Sequence, residues 1–279
     1  MLNDVSDYEL QKDDQPSRFE PRSPLPWILA VVVLAIGIGT GWFYFKTRLG
    51  QSDTSQTNAE TAAPAAPARP LGGQGDAIEL PPLDQTDALV RQLVGALSSH
   101  PTVAAWLATD GLLRSFTVAV ENVADGNTPA RRLPALRPAG QFRVTEDDDD
   151  VLIDARSYER YAPLAAAIDS LNAEGTARLY STLKPRLEEA YAELGRQRSF
   201  DVALEQAFVE MLRTPALDGQ VRVVPKGAAL YAFEDPRFER LTAAQKQLAR
   251  MGPRNVRVIQ DKLRQIALAL GISPERLPG

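Results

Sequence analysis

The chain has 279 residues, with 31 Lys and Arg against 36 Asp and Glu, a formal net charge of −5 and 44% hydrophobic residues. It contains no cysteine and one histidine. That excludes disulfides, a lipid-modified N-terminal cysteine and the two-histidine zinc motif.

Residues 1–24 are polar and acidic, and Pro16, Pro21 and Pro24 interrupt them. Nothing there can bury a core, so a disordered cytoplasmic tail is expected. Residues 25–45 carry no charge, and Trp27 to Phe45 is dominated by Ile, Leu, Val, Ala and Gly. At about 1.5 Å per residue that run spans roughly 28 Å, close to the hydrocarbon thickness of a bilayer. Trp27 stands at one end and Trp42, Phe43 and Tyr44 at the other, where amphipathic rings favour the headgroup level. The spacing predicts an uncleaved single-pass transmembrane helix, a signal anchor. Lys12, Arg18 and Arg22 precede it, against Lys46 and Arg48 after it, a bias that keeps the N-terminus inside. Gly37 and Gly41 form a Gly-x-x-x-Gly pair, a candidate helix contact for a homodimer within the membrane.

Residues 46–82 are rich in Ala, Pro, Ser, Thr, Gln and Gly and read as a flexible linker. Ala/Pro linkers of this kind commonly join a bacterial inner-membrane anchor to an envelope domain. Residues 83–279 then suffice for a soluble domain. The fold class is mainly α, with one or two short β-hairpins. Asp84 is positioned to cap a helix carrying Leu89, Val90, Leu93, Val94 and Leu97. Pro101 suits the first turn of the next, with Val103, Trp106 and Leu107 facing in. Leu112, Leu113, Phe116, Val120 and Val123 continue at helical spacing to Asp125-Gly126-Asn127. Phe142-Arg143-Val144 and Val151-Leu152-Ile153 read as strands around an acidic turn. Tyr158, Tyr161, Leu164, Ile168 and Leu171 predict one helix; Leu179, Leu183, Leu187, Tyr191 and Leu194 another, kinked by Pro185. Ser199 caps a helix with Leu204, Phe208, Met211 and Leu212 inward. Val221 to Val224 and Ala229 to Phe233 predict a second hairpin. Thr242 and Gln245 are spaced as a capping box. After Gly252-Pro253, the positions Val256, Ile259, Leu263, Ile266 and Leu270 line one face of a last helix that Gly271 closes.

Chemistry-bearing motifs are few. Ser181-Thr182-Leu183-Lys184 has the Ser-x-x-Lys spacing, but no Lys-Thr-Gly accompanies it. Glu146 to Asp150 lacks the glycine and alternation of a calcium loop. There is no phosphate loop, dinucleotide fingerprint or Gly-x-Ser-x-Gly, so neither cofactor nor metal is expected and no catalytic residue is assigned. His100, beside Pro101, reads as a capping or packing residue. Asp110, Glu121 and Glu174 are carboxylates a glycosidase could use. Between Arg237 and Gly279 there are nine Lys/Arg and three Asp/Glu, a local net of +6. Arg250, Arg254, Arg257 and Arg264 are the candidate partner surface, for an envelope protein, an anionic lipid or a cell-wall polymer.

Leu80-Pro81-Pro82-Leu83-Asp84, Ser99-His100-Pro101 with Trp106-Leu107, and Leu183-Lys184-Pro185 go together with two further motifs. These are Val224-Pro225-Lys226-Gly227, and Gln245-Lys246-Gln247-Leu248 with Met251-Gly252-Pro253-Arg254-Asn255. As a set, from about Leu80 to Ile272, they resemble a bacterial single-pass membrane protein family catalogued only as a domain of unknown function. The resemblance implies no activity, cofactor or catalytic residue. The leading expectation is a non-enzymatic interaction or adaptor domain on the inner membrane, held outside the cytoplasm. The rivals are a cell-wall or glycan enzyme using a carboxylate pair and, if the topology is reversed, a nucleic-acid-binding domain.

Overall fold

The computed structural model describes residues 70–147, 150–226 and 230–279. The expected tail, the transmembrane helix with Gly37 and Gly41, and the linker up to residue 69 lie outside the described residues. So do Asp148, Asp149 and Gly227 to Ala229. Ten α-helices and two short antiparallel strand pairs make up the described residues.

A 3-10 turn, Leu83–Gln85, leads into α1 (Asp87–Leu97), α2 (Pro101–Leu107) and α3 (Leu112–Ala124). Two short helices, α4 (Arg156–Glu159) and α5 (Ala162–Asp169), precede the long α6 (Ala173–Ala192) and α7 (Phe200–Leu212). The chain ends in α8 (Pro236–Glu239), α9 (Ala243–Ala249) and α10 (Pro253–Ala269). The largest apolar cluster joins α1, α3, α6, α7 and the end of α10, with Leu112, Phe200, Ala203 and Ala267 inaccessible to solvent. A second joins the hairpins to Leu217 and Ala249, and a third holds Val256 and Ile259 of α10 against Ala165 and Leu248. The face predicted for the last helix is the one it buries. Among the described residues no single helix is long and apolar enough to cross a membrane. The pair α2 and α3 reaches that measure together but is bent by 109°, and both helices feed the main core.

Local chemistry explains where elements begin. His100 caps α2, its Nδ1 accepting from the Thr102 N–H at 3.2 Å. The Thr242–Gln245 capping box forms in full. Asp84 does not cap α1: the chain first makes the 3-10 turn, Thr86 takes the N-cap position, and Asp84 pairs with Arg114 at 2.7 Å. Asp87 reaches forward instead, accepting from the N–H groups of Gly111 (2.7 Å) and Leu112 (2.9 Å) at the start of α3. The helix expected from Tyr158 to Leu171 is broken after Glu159, because Pro163 lacks the N–H that would bond the Glu159 carbonyl. Pro185 leaves α6 continuous from Ala173 to Ala192. Ser199 stands at the N-cap of α7 without a cap bond; Glu188 supplies it, accepting from the Phe200 N–H at 3.2 Å.

Strands β1 (Val144–Asp147) and β2 (Asp150–Ile153) pair with Val144 opposite Ile153. β3 (Val223–Pro225) and β4 (Tyr231–Phe233) pair with Val223 opposite Phe233. A bridge from Leu152 to Arg222 and a bond from the Ile153 N–H to the Val221 carbonyl (3.0 Å) join the two hairpins. The first strand starts two residues later than the pattern predicts. The Ser157 hydroxyl accepts from the Arg143 N–H at 2.7 Å and donates to its carbonyl at 2.8 Å; that carbonyl still accepts from the Asp154 N–H at 3.2 Å, so the ladder loses the Arg143 N–H alone.

The domain also begins earlier than residue 83. Residues 70–82, expected as linker, are fastened across α6 and the end of α10. Leu71 is buried, its N–H donates to Asp201 at 3.2 Å, and the Gly72 N–H donates to the Leu270 carbonyl at 2.9 Å. The Asp76 N–H donates to Thr182 Oγ1 at 2.9 Å, and Arg186 donates to the Leu80 carbonyl at 3.1 Å. Glycine at 75 is what permits this approach, since a Cβ there would collide with the Thr182 backbone.

Candidate binding cavity

The helices of the main core leave space between them. A cavity of about 260 Å³ lies among α1, α2, α5, α6 and α7. It exceeds the roughly 150 Å³ of an apolar cavity large enough to hold benzene. At one end Val90, Leu113, Leu187, Leu204 and Phe208 are buried. At the other, Leu97, Thr102, Trp106, Leu171 and Thr176 are half-buried and form a mouth. One wall is α6, from Thr176 through Leu179 and Leu183 to Leu187, positions three and four apart that share a helix face. The eleven residue steps from Thr176 to Leu187 make the trough roughly 16 Å long. Gly175 keeps the mouth narrow: a Cβ there would stand 2.7 Å from Leu97 Cδ2.

Polar groups in this wall are few and mostly engaged. Thr176 Oγ1 donates to the Asn172 carbonyl at 2.7 Å. The Tyr180 hydroxyl donates to Asp201, which also accepts from Lys184 Nζ at 2.5 Å. Burial first, then the bond to Asp201 and the negative charges of Asp201 and Glu188, push the Tyr180 hydroxyl well above its ordinary pKa, so it stays a donor. The exception is Trp106, whose Nε1–H is buried without an acceptor. No carboxylate, imidazole or amine lines the cavity.

A second polar cluster lies at the end of α3. Glu121 is buried, and its Oε2 accepts from Tyr191 at 2.7 Å and Arg198 at 2.6 Å. Arg196 Nε stands 2.6 Å from Oε1, off the hydrogen-bonding axis. Two guanidiniums and a phenol thus converge on this buried carboxylate, a structural anchor between α3, the end of α6 and the loop after it. Asp110 pairs with Arg91 at 2.9 Å, and Glu174 is exposed at the start of α6. Asp110 lies ahead of α3, and Glu121 stands nine residues past its first residue, about 13 Å along the axis, beyond the roughly 6.5–9.5 Å of an inverting glycosidase pair. Ser181 and Lys184 are equally committed: the serine hydroxyl bonds the carbonyls of Gly72 and Ala177, the ammonium bonds Asp201. Among the described residues, no group of three or more His, Cys, Asp or Glu is gathered to hold a metal.

The four arginines expected to form a partner surface differ in their surroundings. Arg254 and Arg257 are exposed on α10, and Arg257 pairs with Asp218. Arg264 is half-buried and donates to the Pro278 carbonyl. Arg250 departs from the expected outer face. Its guanidinium lies 4.7 Å from the Phe233 ring centroid and donates to the Tyr231 carbonyl at 2.9 Å. Burial lowers its pKa below the usual arginine value. Beside it, Glu239 accepts from Lys246 (3.0 Å) and from the Phe233 N–H (3.0 Å). Desolvation raises that carboxyl, but those bonds and the charges of Lys246 and Arg250 more than offset it, and its pKa falls below the usual carboxylate value. Arg250 therefore clasps α9 to β4.

The cavity was not legible as such. Val90, Trp106, Leu183 and Leu187 read as core positions, and spacing does not distinguish a filled core position from a cavity wall.

No curated protein and no solved structure matches the chain. The model of a family described as a protein of unknown function, DUF3014, matches residues 112–267, from the first residue of α3 to near the end of α10. The motifs at Leu80 to Asp84 and Ser99 to Leu107 lie ahead of that match, while those from Leu183 onward fall within it. With more than half of its length matched, the chain belongs to the DUF3014 family.

Proposed function

We propose that the chain is a membrane-anchored bacterial envelope protein that acts by binding, through a helical domain held outside the cytoplasm. The uncharged stretch from residue 25 to 45, the basic bias ahead of it and the Ala/Pro-rich segment after it support the anchor and its orientation. The observation that carries the binding half is the cavity. Its wall is apolar, it opens at a half-buried mouth, and it contains no group able to exchange a proton near pH 7. Such a chamber holds an apolar moiety and offers no acid, base or nucleophile to transform it. The test uses N-phenyl-1-naphthylamine, an uncharged dye that brightens in apolar surroundings, with the full chain. One saturable site is expected, abolished by Ala167→Phe, which fills the wall where Ala167 is buried. Dye binding that ignores this substitution overturns the reading. A periplasm-dependent reporter fused after Gly279 is expected to be active, which checks the orientation.

A second reading keeps the outer face of α10 as an anion-docking surface. It is favoured by Arg254, which is exposed and has no ion-pair partner among the described residues. Arg257 beside it is only partly compensated, by an exposed Asp218.

A further inference from the structure

Resting on the reading of the cavity as the binding site, we infer that its occupant is the hydrocarbon chain of a single-chain amphiphile, inserted tail first with its polar end at Thr102 and Thr176. Three observations carry this. The cavity is elongated, running along three turns of α6 between Thr176 and Leu187, which suits an extended chain better than a compact ring. Its burial is graded. Leu187, Leu204 and Phe208 are sealed from solvent, whereas Leu97, Leu171 and Thr176 are half-exposed. Its polarity is graded the same way: both threonines of the lining stand at the open end, and the closed end is aliphatic and aromatic. An amphiphile has this same gradient. A volume of about 260 Å³ falls just under the roughly 300–1,000 Å³ of drug-sized ligand sites and accommodates one chain, not two. Each methylene withdrawn from water adds to the affinity, so binding strengthens with chain length until the trough is full.

Trp106 lies one helical turn beyond Thr102, near the mouth, and makes the insertion readable. In the full chain carrying Trp27→Phe and Trp42→Phe, Trp106 is the sole indole. The protein is kept in amphipol, and dodecanoic acid brominated at carbon 2 or at carbon 12 is added. Bromine quenches indole on contact, so the carbon-2 probe is expected to quench at least twice as strongly as the carbon-12 probe, both saturating at one per chain. Dodecanoic acid and the matching dodecanoyl lysophospholipid are each expected to displace N-phenyl-1-naphthylamine, the tighter of the two identifying the natural source of the chain. Ala167→Phe is expected to weaken both at least ten-fold. Leu183→Phe replaces it if that variant does not melt cooperatively. If the dye binds and neither amphiphile displaces it, the ligand class is wrong while the cavity remains a binding site. If neither dye nor amphiphile binds, both inferences fall. Stronger quenching from carbon 12 overturns the tail-first orientation.

Discussion

At the scale of single residues, two arginines four apart in sequence have opposite roles. Arg250 ends α9 with its guanidinium over Phe233 and on the Tyr231 carbonyl, next to Glu239. Arg254 is exposed on the first turn of α10. Removing the first leaves a half-buried carbonyl without that donor and a ring without its cation, each worth about 1–2 kcal/mol. Arg250→Glu is therefore expected to destabilise by roughly 2–4 kcal/mol in urea melts, and Arg254→Glu by less than about 0.5 kcal/mol. Equal effects would return Arg250 to the surface. Charge and spacing alone cannot separate them. Arg250 becomes structural only because β4, a distant strand, brings Phe233 beneath it. His100 was legible because its role is local, a cap on the helix that Pro101 begins.

At the scale of elements, legibility follows the range of the interaction. α10 could be read residue by residue because five apolar side chains three and four apart leave one way to bury the helix. The capping box of α9 is contained in four residues. Residues 70–82 are the opposite case. Their composition is that of a linker, and one buried leucine with four backbone or near-backbone bonds to α6, α7 and the end of α10 has no periodicity to detect. Gly75, in a run of glycines that suggests flexibility, is what lets the segment lie against the Thr182 backbone. Leu71 joins the main core cluster, so Leu71→Ala is expected to cost about 2–4 kcal/mol. Gly75→Ala should loosen the segment by steric exclusion alone. Both changes should raise hydrogen exchange at Gly72 and Asp76 while α10 stays protected. Full protection in both variants would mean the segment is held by something other than these contacts. It also follows that a soluble fragment should begin at Pro70. Starting at Leu83 discards a buried side chain of the core.

At the scale of the whole molecule, the local +6 of the C-terminal segment is largely dissolved by folding. Asp235 pairs with Arg237, Asp218 with Arg257, Glu205 with Arg276, and Asp169 lies 3.9 Å from Lys262. Lys246 is taken by Glu239 and Arg250 by an aromatic ring. These acidic partners come from α5, α7, the loop after it and the turn before α8, so no window of sequence contains the balance. Among the described residues of this segment, Arg240 and Arg254 are exposed without an ion-pair partner. A surface with so little uncompensated charge should hold an anion weakly. A chain starting at Pro70 is expected to associate only loosely with vesicles containing phosphatidylglycerol, the association vanishing between about 50 and 200 mM salt as screening shortens the reach of each charge. Arg254→Glu with Arg257→Glu should abolish what binding there is while leaving the melting temperature unchanged, since exposed pairs contribute little to stability. Arg264→Glu should have a smaller effect, because that guanidinium is half-buried on the Pro278 carbonyl. Tight, salt-resistant binding would contradict this charge accounting, and binding indifferent to Arg254 and Arg257 would move the docking surface off α10.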